Sequence, residues 1–352
     1  MMKNGKRYGS FKWKYYVNYA VIIAVTVIFT ILSLTGNIKH SDTVILEKIA
    51  VAIILATSLG MVVGFLGELS LGHAGFMCVG AYIGGKISAL LVPSLGNGLV
   101  ALLVSVLIGG FVAALFGIIV GLPALRLKGD YLAIVTLAFG EIVRYVFMNM
   151  PEKWFGGTLG LSTPRFNKKH LFIIAFVFVL ICLAVVQNLI RSKHGRAISS
   201  IRDNEIAARA MGIDVTKYKL IVFTVSAFFA GVAGVLYSYT QSRIQYTNFD
   251  YNYSIEILVM VVLGGIGSIN GSIIAAALIT FLNIRLQTML TGDLAVLQNL
   301  FYALILILIV IYNNAPALKG FKEKYNLKTL LAAMKKKKKS AVVADDNAKE
   351  EV

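Results

Sequence analysis

Residues 98–122, GLVALLVSVLIGGFVAALFGIIVGL, form an apolar run without a charged side chain. A helix that crosses the hydrocarbon core of a bilayer needs about 20 such residues. Comparable runs recur on both sides of this one. The sequence predicts ten spanning helices, at about 16–34, 44–66, 69–92, 98–122, 131–150, 170–190, 220–240, 255–268, 271–290 and 295–312. The eighth is short and the third is rich in glycine. Because the predicted spans are all helices, the expected fold is all-α and integral to a membrane.

The composition favours the same class. Hydrophobic residues make up 58% of the 352 and charged residues 14%, against roughly 45–50% and about 25% in soluble domains. The formal net charge is +17, but the cations cluster between apolar runs, as they do in loops that face anionic lipid. We therefore expect membrane lipid, and not nucleic acid, to be the partner of this charge.

Lysine and arginine concentrate on one side of the predicted topology, which indicates that this side is cytoplasmic. An even number of spans places both termini there. One loop, 151–169, carries several cations although the count of spans places it outside. The predicted organisation is a basic cytoplasmic segment at 1–15, a transmembrane domain at 16–313 with a cytoplasmic loop at 191–219, and a basic tail at 314–352 that we expect to be disordered.

A glycine-rich stretch opens the third predicted span: Gly67-Glu-Leu-Ser-Leu-Gly-His-Ala-Gly-Phe76. Its acid, Glu68, and its histidine, His73, are costly in lipid unless they face protein or water. Glycine permits close packing of backbones, or a break at which backbone groups meet a solute. The stretch is therefore either a packing element or part of a substrate pathway that passes Ser70, Gly72 and His73.

Residues 80–87, Gly-Ala-Tyr-Ile-Gly-Gly-Lys-Ile, come within one position of a phosphate-binding P-loop. The motif requires serine or threonine where Ile87 stands, and a strand before it. We interpret the match as chance, so ATP and magnesium would be bound by another subunit. The residues suggest no metal site, no cofactor and no catalytic constellation in this chain, and we expect no enzymatic activity of its own.

Two charges fall within the fifth predicted span. Glu141 and Arg144 are three residues apart, which places them on one face of a helix at about mid-span. Such a pair must face away from lipid. Either it is a structural ion pair, or one partner meets the charged end of a zwitterionic solute.

The longest predicted cytoplasmic loop contains an amphipathic helix over residues 195–212. Its apolar face would carry Ile198, Ile201 and Ala208, beside a charged stripe of Arg202, Glu205 and Arg209. Glu205 precedes Arg209 by four residues, which is the favourable order for an ion pair. Gly212 is placed to end the helix. One interpretation is that this helix lies on the membrane surface.

A second short apolar segment, 254–272, ends in a glycine-rich turn that begins at Gly264 and Gly265. It is similar to the glycine-interrupted stretch at 67–85. Short or broken segments in both halves of a chain indicate the binding region of a transporter. Gly264 and Gly265 are therefore candidate pathway residues, and the two halves are compatible with inverted repeats.

Six stretches carry a family resemblance. They are Ser70-Leu-Gly-His-Ala-Gly-Phe76, Leu127-Lys-Gly-Asp-Tyr-Leu-Ala-Ile-Val-Thr-Leu137, Gly140-Glu-Ile-Val-Arg144, Gly156-Gly-Thr-Leu-Gly-Leu161, Arg202-Asp-Asn-Glu-Ile-Ala-Ala208 and Val262-Leu-Gly-Gly-Ile-Gly-Ser268. In this order they resemble the branched-chain amino-acid permease family of ABC importers, of the LivM type. The resemblance covers about 60–275.

The resemblance implies a role for the long cytoplasmic loop. Its pattern Glu-x-Ala-Ala-x-x-x-Gly is similar to the loop by which such permeases dock onto their ATPase, with Ile206 inserted relative to the usual form. The implied coupling residues are Arg202, Glu205, Ala207, Ala208 and Gly212.

The resemblance also implies partners and cargo. These are a second, homologous permease that forms a heterodimer, two cytoplasmic ATPase subunits, and an extracytoplasmic solute-binding protein. The composition of the tail and the general richness in lysine suggest a bacterial cell membrane. The cargo would be leucine, isoleucine or valine, with urea or another small solute as the alternative. An ion-coupled secondary transporter that works alone is a further alternative, but it does not account for the cytoplasmic docking pattern.

Overall fold

The computed structural model describes residues 17–35, 40–95, 98–127, 129–164 and 171–289, with isolated positions at 300, 303, 304, 307 and 311. Compactness divides the chain into two units, Met1–Thr288 and Met289–Val352. All the helices and strands described below belong to the first unit, except that the last residue of the final helix, Met289, is assigned to the second. The predicted tail at 314–352 lies outside the described residues.

The described chain is almost entirely helical. Its helices are α1 (Val17–Leu34), α2 (His40–Gly60), α3 (His73–Leu95), α4 (Gly98–Ala124), α5 (Asp130–Asn149), α6 (Glu152–Phe155), α7 (Leu171–Arg191), α8 (Lys193–Asp203), α9 (Glu205–Ala210), α10 (Val215–Thr240), α11 (Tyr251–Gly264) and α12 (Ile269–Met289). A π-helical stretch, Met61–Leu66, continues α2, and single 3₁₀ turns occupy Gly157–Leu159 and Tyr246–Phe249. Two short strands, β1 (Leu161–Ser162) and β2 (Arg243–Ile244), pair antiparallel.

Seven of the described helices are long and apolar enough to cross a membrane. α1 and α11 contain shorter apolar stretches, at Tyr19–Leu32 and Tyr251–Gly264. Within the described residues, helices therefore occupy the first nine predicted spans, and the prediction of an all-α membrane fold is confirmed. The eighth is short, as predicted. The tenth, at 295–312, lies mostly outside the described residues.

The closest packing in the bundle is among α3, α4 and α10, while the most buried span is α2 with its π-helical continuation. Small residues allow these helices to pack closely, as is usual where no hydrophobic effect drives helices together in lipid. A methyl group built on Gly117 of α4 would lie 2.7 Å from Ala227 Cβ of α10, and one on Gly109 would lie 2.5 Å from a Val235 methyl. By contrast, large side chains such as Phe111 of α4 and Ile134 of α5 are exposed, as a surface that faces lipid or another subunit requires.

Two details bear on the predicted motifs. Residues 80–87 lie inside α3, so this stretch has no P-loop conformation. The third predicted span begins four residues later than expected, at His73, because residues 67–72 are not helical. This interruption is the feature on which the candidate site is built.

Candidate functional site

The non-helical segment 67–72 turns back into the membrane domain. Gly67 ends the π-helical stretch with φ +81°, a left-handed conformation that favours glycine. Six residues later, His73 Nε2 lies 2.8 Å from Ser58 Oγ of α2. Ser58 precedes Leu66 by eight residues, or about 12 Å of helix. The segment therefore runs back alongside the end of α2 and places His73, which is 2% exposed, at the depth of Ser58.

Ser58 Oγ has two polar neighbours. It lies 3.0 Å from Leu55 O in its own helix and 2.8 Å from His73 Nε2. The neighbouring Thr57 is also buried, but its Oγ1 has no hydrogen-bond partner among the described residues. The two hydroxyls lie one residue apart on α2 and have opposite hydrogen-bonding status.

We expect Ser58→Ala to lower the stability of the folded protein by about 1–2 kcal/mol, because it leaves the buried Nε2 of His73 without its hydrogen-bond partner. Thr57→Val is the matched control. It removes an unpartnered hydroxyl and should leave the stability unchanged or slightly higher. Thermal unfolding of the purified protein in detergent measures both. Equal losses in the two variants would contradict the assigned hydrogen bond.

Two neighbouring helices hold the segment 67–72 and the first turn of α3 in place. From α5, Thr136 Oγ1 accepts a hydrogen bond from Leu71 N–H at 3.0 Å. A methyl group on Gly72 would lie 2.5 Å from Thr136 O, so only glycine fits there. From α11, Ser254 Oγ accepts a hydrogen bond from Ala74 N–H at 3.1 Å. Non-helical backbone at membrane depth is tolerated only where it is shielded from lipid by protein or water. Here α5 and α11 shield it, and each satisfies one N–H group, at Leu71 and at Ala74.

Ser70 lies in the middle of this segment. It is 1% exposed, and its Oγ has no hydrogen-bond partner among the described residues. A buried hydroxyl without a partner costs free energy. Of the predicted pathway residues, Ser70 and Gly72 thus lie buried in this irregular stretch, and His73 is the buried first residue of the helix that follows it. Whether they line a substrate pathway stays a prediction.

The predicted amphipathic helix over 195–212 is two helices, α8 and α9, which we call the α8–α9 segment together with the turn to Gly212. The helix is interrupted at Asn204. Its extended backbone ends α8, and its Oδ1 accepts a hydrogen bond from Ala207 N–H at 3.0 Å, which caps α9. The expectation of a single helix was therefore wrong. The predicted apolar face is nevertheless buried, at Ile198, Ile201 and Ala208.

The opposite face of the α8–α9 segment is open. Ile206 is 79% exposed and Met211 is 83% exposed. Ala207 is exposed as well. Gly212 has φ +80°, and a methyl group built on it would meet no atom within 4 Å. The segment thus anchors itself by one face and presents apolar side chains on the other.

A buried lysine joins the α8–α9 segment to the interrupted helix. Lys219, in the second turn of α10, forms ion pairs with Glu68 and with Glu205, the latter at 3.1 Å. Its side chain is 4% exposed. Glu205 also pairs with Arg209 at 2.9 Å, in the predicted i, i+4 arrangement. We call the Glu68–Lys219–Glu205 contact the Lys219 bridge.

Arg202 makes a second connection. Its Nη1 donates a hydrogen bond to Gly64 O, in the π-helical stretch, at 3.1 Å. A methyl group on Gly64 would lie 2.5 Å from Gly267 N, in the turn after α11. In that turn Gly265 and Gly267 have φ +93° and +82°. The π-helical stretch that leads into the interruption at 67–72 therefore touches the glycine-rich turn after α11, next to the α8–α9 segment.

The other predicted pathway residues lie apart from this junction or serve its packing. Gly264 ends α11 against the backbone of Gly271. Glu141 and Arg144 form the predicted ion pair on α5, at 2.6 Å, with side chains 22% and 15% exposed. Within the described residues, neither their hydrogen bonds nor their ion pairs reach the segment 67–72. A pathway role for Gly264, Gly265, Glu141 and Arg144 stays a prediction.

Sequence reasoning missed Lys219 as a site residue because it was counted as the last cation of the loop 191–219. The available signal was Asp214, whose Oδ1 accepts a hydrogen bond from Lys217 N–H at 3.0 Å and so starts α10 at Val215. With that start, Lys219 falls inside a spanning helix, where an ionised side chain needs a partner.

Comparison with known proteins adds the family. The profile described as "Branched-chain amino acid transport system / permease component" matches residues 43–312. The chain is 36% identical over 259 residues to the high-affinity branched-chain amino acid transport system permease protein LivM of Salmonella typhimurium, which covers 64% of this chain and 59% of that one. It thus spans about three-fifths of the length of this curated relative.

Two further relatives are more distant. One is the probable branched-chain amino acid transport permease protein LivH of Methanocaldococcus jannaschii, 31% identical over 142 residues, with 40% of this chain and 44% of that one covered. The other is the ribose import permease protein RbsC of Escherichia coli, 32% identical over 169 residues, with 46% and 49% covered.

Proposed function

This chain belongs to the family of permease components of branched-chain amino acid transport systems, and from that premise we propose that it is a transmembrane subunit of an ATP-driven importer of leucine, isoleucine and valine. The observation that carries the proposal is the Lys219 bridge, which ties an exposed two-helix segment to an interrupted membrane helix. A permease driven by separate ATPases needs such a connection between its docking surface and its pathway.

Mechanism follows from these contacts. One of two cytoplasmic ATPase subunits binds the exposed face of the α8–α9 segment around Ile206, and the two subunits bind and hydrolyse ATP with magnesium. Closure of the ATPases displaces the segment. The Lys219 bridge and the Arg202–Gly64 hydrogen bond then transmit the displacement to the segment 67–72. The Gly64–Gly267 contact passes it to the turn after α11, so both interruptions move together and the side to which the pathway opens alternates.

The proposed assembly includes subunits that this chain lacks. Its similarity to LivH as well as to LivM supports a second permease of similar fold as partner. A solute-binding protein delivers cargo at the end of the bundle opposite the α8–α9 segment. The complex lies in the bacterial cytoplasmic membrane, with both termini and the α8–α9 segment on the cytoplasmic side, as the distribution of lysine and arginine favours.

The identity of the transported solute is the more specific part of the proposal. The family description and the LivM relative support branched-chain amino acids. The similarity to a ribose permease supports the alternative of the same importer class with another small solute. Proteoliposomes that contain the assembled complex, its binding protein and internal ATP decide between them by uptake of labelled leucine against labelled ribose.

We expect Ile206→Glu to reduce co-purification of the ATPase subunits at least about tenfold, because it places a charge in an apolar docking contact. The melting temperature of the permease should not change, since the side chain is 79% exposed. Leu159→Glu is the control: it changes an exposed apolar residue of the 3₁₀ turn after α6 and should retain the ATPases.

Retention of the ATPases and of leucine-stimulated ATP hydrolysis by Ile206→Glu would place the docking surface elsewhere. If the wild-type chain binds no ATPase and accumulates solute under an ion gradient alone, the secondary-transporter alternative replaces the proposal.

A further inference from the structure

A small polar cavity lies inside the bundle, away from the Lys219 bridge. It has a volume of about 140 Å³ between α2, α10, α11 and α12. Tyr237, three residues before the end of α10, and Gln287, two residues before the end of α12, are among its lining residues. The cavity therefore sits near the end of the bundle opposite the α8–α9 segment. Its volume is well below the roughly 300 Å³ at which sites for drug-sized ligands begin, which restricts it to a small solute.

Opposite charges face this cavity from two helices. Lys48 lines it from α2 and Glu256 from α11. Glu256 Oε1 accepts a hydrogen bond from Asn283 Nδ2 of α12 at 3.0 Å, which fixes the carboxylate. In the described part of the chain, Lys48 forms neither an ion pair nor a hydrogen bond. An ammonium group in a membrane domain is costly without a counter-charge, and the described residues leave Lys48 free to meet a negative group that enters the cavity.

The rest of the lining supplies two kinds of surface. Thr280 is 9% exposed and its Oγ1 has no hydrogen-bond partner within the described residues. Beside these polar groups, Val51, Met260 and Ile284 present aliphatic surface. The cavity thus combines a cation, an anion, an unused hydroxyl and an apolar wall, which are the groups that an aliphatic α-amino acid would meet.

We propose that this cavity binds an aliphatic α-amino acid in its zwitterionic form, with the carboxylate on Lys48, the ammonium on Glu256 and the side chain against the aliphatic wall. The inference rests on the proposed function, which it deepens by giving the cargo a transient site within this subunit. Pairing each charged end with an opposite charge replaces the hydration that the amino acid loses on entry. The small volume excludes large side chains and leaves selection among small aliphatic ones to the apolar wall.

The test uses the complete transporter in proteoliposomes with binding protein and ATP, and the melting temperature of the same purified complex. Lys48→Met removes an unpaired charge, so the complex should melt at the same or a higher temperature, while leucine uptake falls at least tenfold. Thr280→Val removes an unpartnered hydroxyl without a change of shape. It should also leave stability equal or higher, with uptake reduced severalfold.

Lys86→Met is the matched control. It removes a lysine of α3 that donates a hydrogen bond to Lys153 O at 3.3 Å and does not line the cavity. Leucine uptake by this variant should equal that of the wild type.

Wild-type uptake in Lys48→Met and Thr280→Val would mean that the cavity holds water only. A lower melting temperature in Lys48→Met, restored together with uptake in Lys48→Met/Glu256→Gln, would mean a structural ion pair. Either result overturns the inference and leaves the importer standing, whereas a wild-type complex that takes up no leucine overturns both. If Lys48→Met does not assemble, the result for Thr280→Val decides.

Discussion

Replacement of Lys219 by methionine is expected to lower the stability of the protein by about 3–5 kcal/mol, the usual cost of removing one partner from a buried ion pair. The lysine side chain is 4% exposed and is shared by two carboxylates. Glu205 keeps its ion pair with Arg209, so Glu68, whose side chain is 14% exposed, is the carboxylate left without a cation among the described residues. Because Glu68 adjoins Gly67, where the membrane helix is interrupted, we also expect leucine-stimulated ATP hydrolysis and uptake to be lost.

Lys217→Met is the control for this experiment. Lys217 is exposed, two residues away on the same helix, and its methionine variant should match the wild type in melting temperature and uptake. The double variant Lys219→Met/Glu68→Gln separates stability from coupling. It removes the stranded charge and should regain most of the melting temperature, since a buried pair replaced by neutral groups is often tolerated. If it also regains full uptake, the Lys219 bridge has only a structural role.

Much of the fold is predictable from sequence because lipid imposes a local rule. A spanning segment must satisfy its backbone within itself and be apolar over about 20 residues. The predicted span at 98–122 and the observed α4, Gly98–Ala124, agree for this reason. The short eighth span was visible as well, because glycines bound the apolar run at Gly264 and Gly265.

The path of the interrupted segment 67–72 depends on residues far away in sequence, so it could not be predicted from the local pattern. Glycines at 67, 72 and 75 indicated a break, but they carry no information on its depth in the membrane. That depth is set by partners far away in sequence: Ser58, Thr136 and Ser254 each contribute one hydrogen bond. The contact of Gly64 with Gly267 depends in the same way on the packing of α11.

For the α8–α9 segment the predicted apolar face was correct, but the prediction of a single helix was wrong. Ile198, Ile201 and Ala208 are all buried, so the periodicity identified the apolar face. It did not reveal the break at Asn204, because two short helices in sequence can bury the same positions as one. The type of residue was the available signal: asparagine is among the preferred N-caps, and here it caps α9.

Gly75→Ala is expected to lower the stability by about 2–3 kcal/mol, although it adds a single methyl group. The built methyl would lie 2.6 Å from Gly140 Cα on α5. The obstructing atom belongs to backbone and cannot rotate away, so α5 must shift. Thr136, one turn earlier on α5, holds Leu71 in the segment 67–72. We therefore expect leucine uptake to fall together with the melting temperature.

Gly140→Ala probes the other side of the same contact and should behave differently. A methyl group on Gly140 has its nearest neighbour, Gly75 N, at 3.7 Å, which is an ordinary van der Waals distance. Alanine also favours the helix by up to about 1 kcal/mol relative to glycine. The variant should be neutral or more stable, with wild-type uptake. Equal losses from both substitutions would mean that α3 and α5 approach symmetrically at this point. A loss confined to Gly75→Ala would mean that α3 presses its backbone against α5 where the interrupted segment begins its helix, and that transport depends on this spacing.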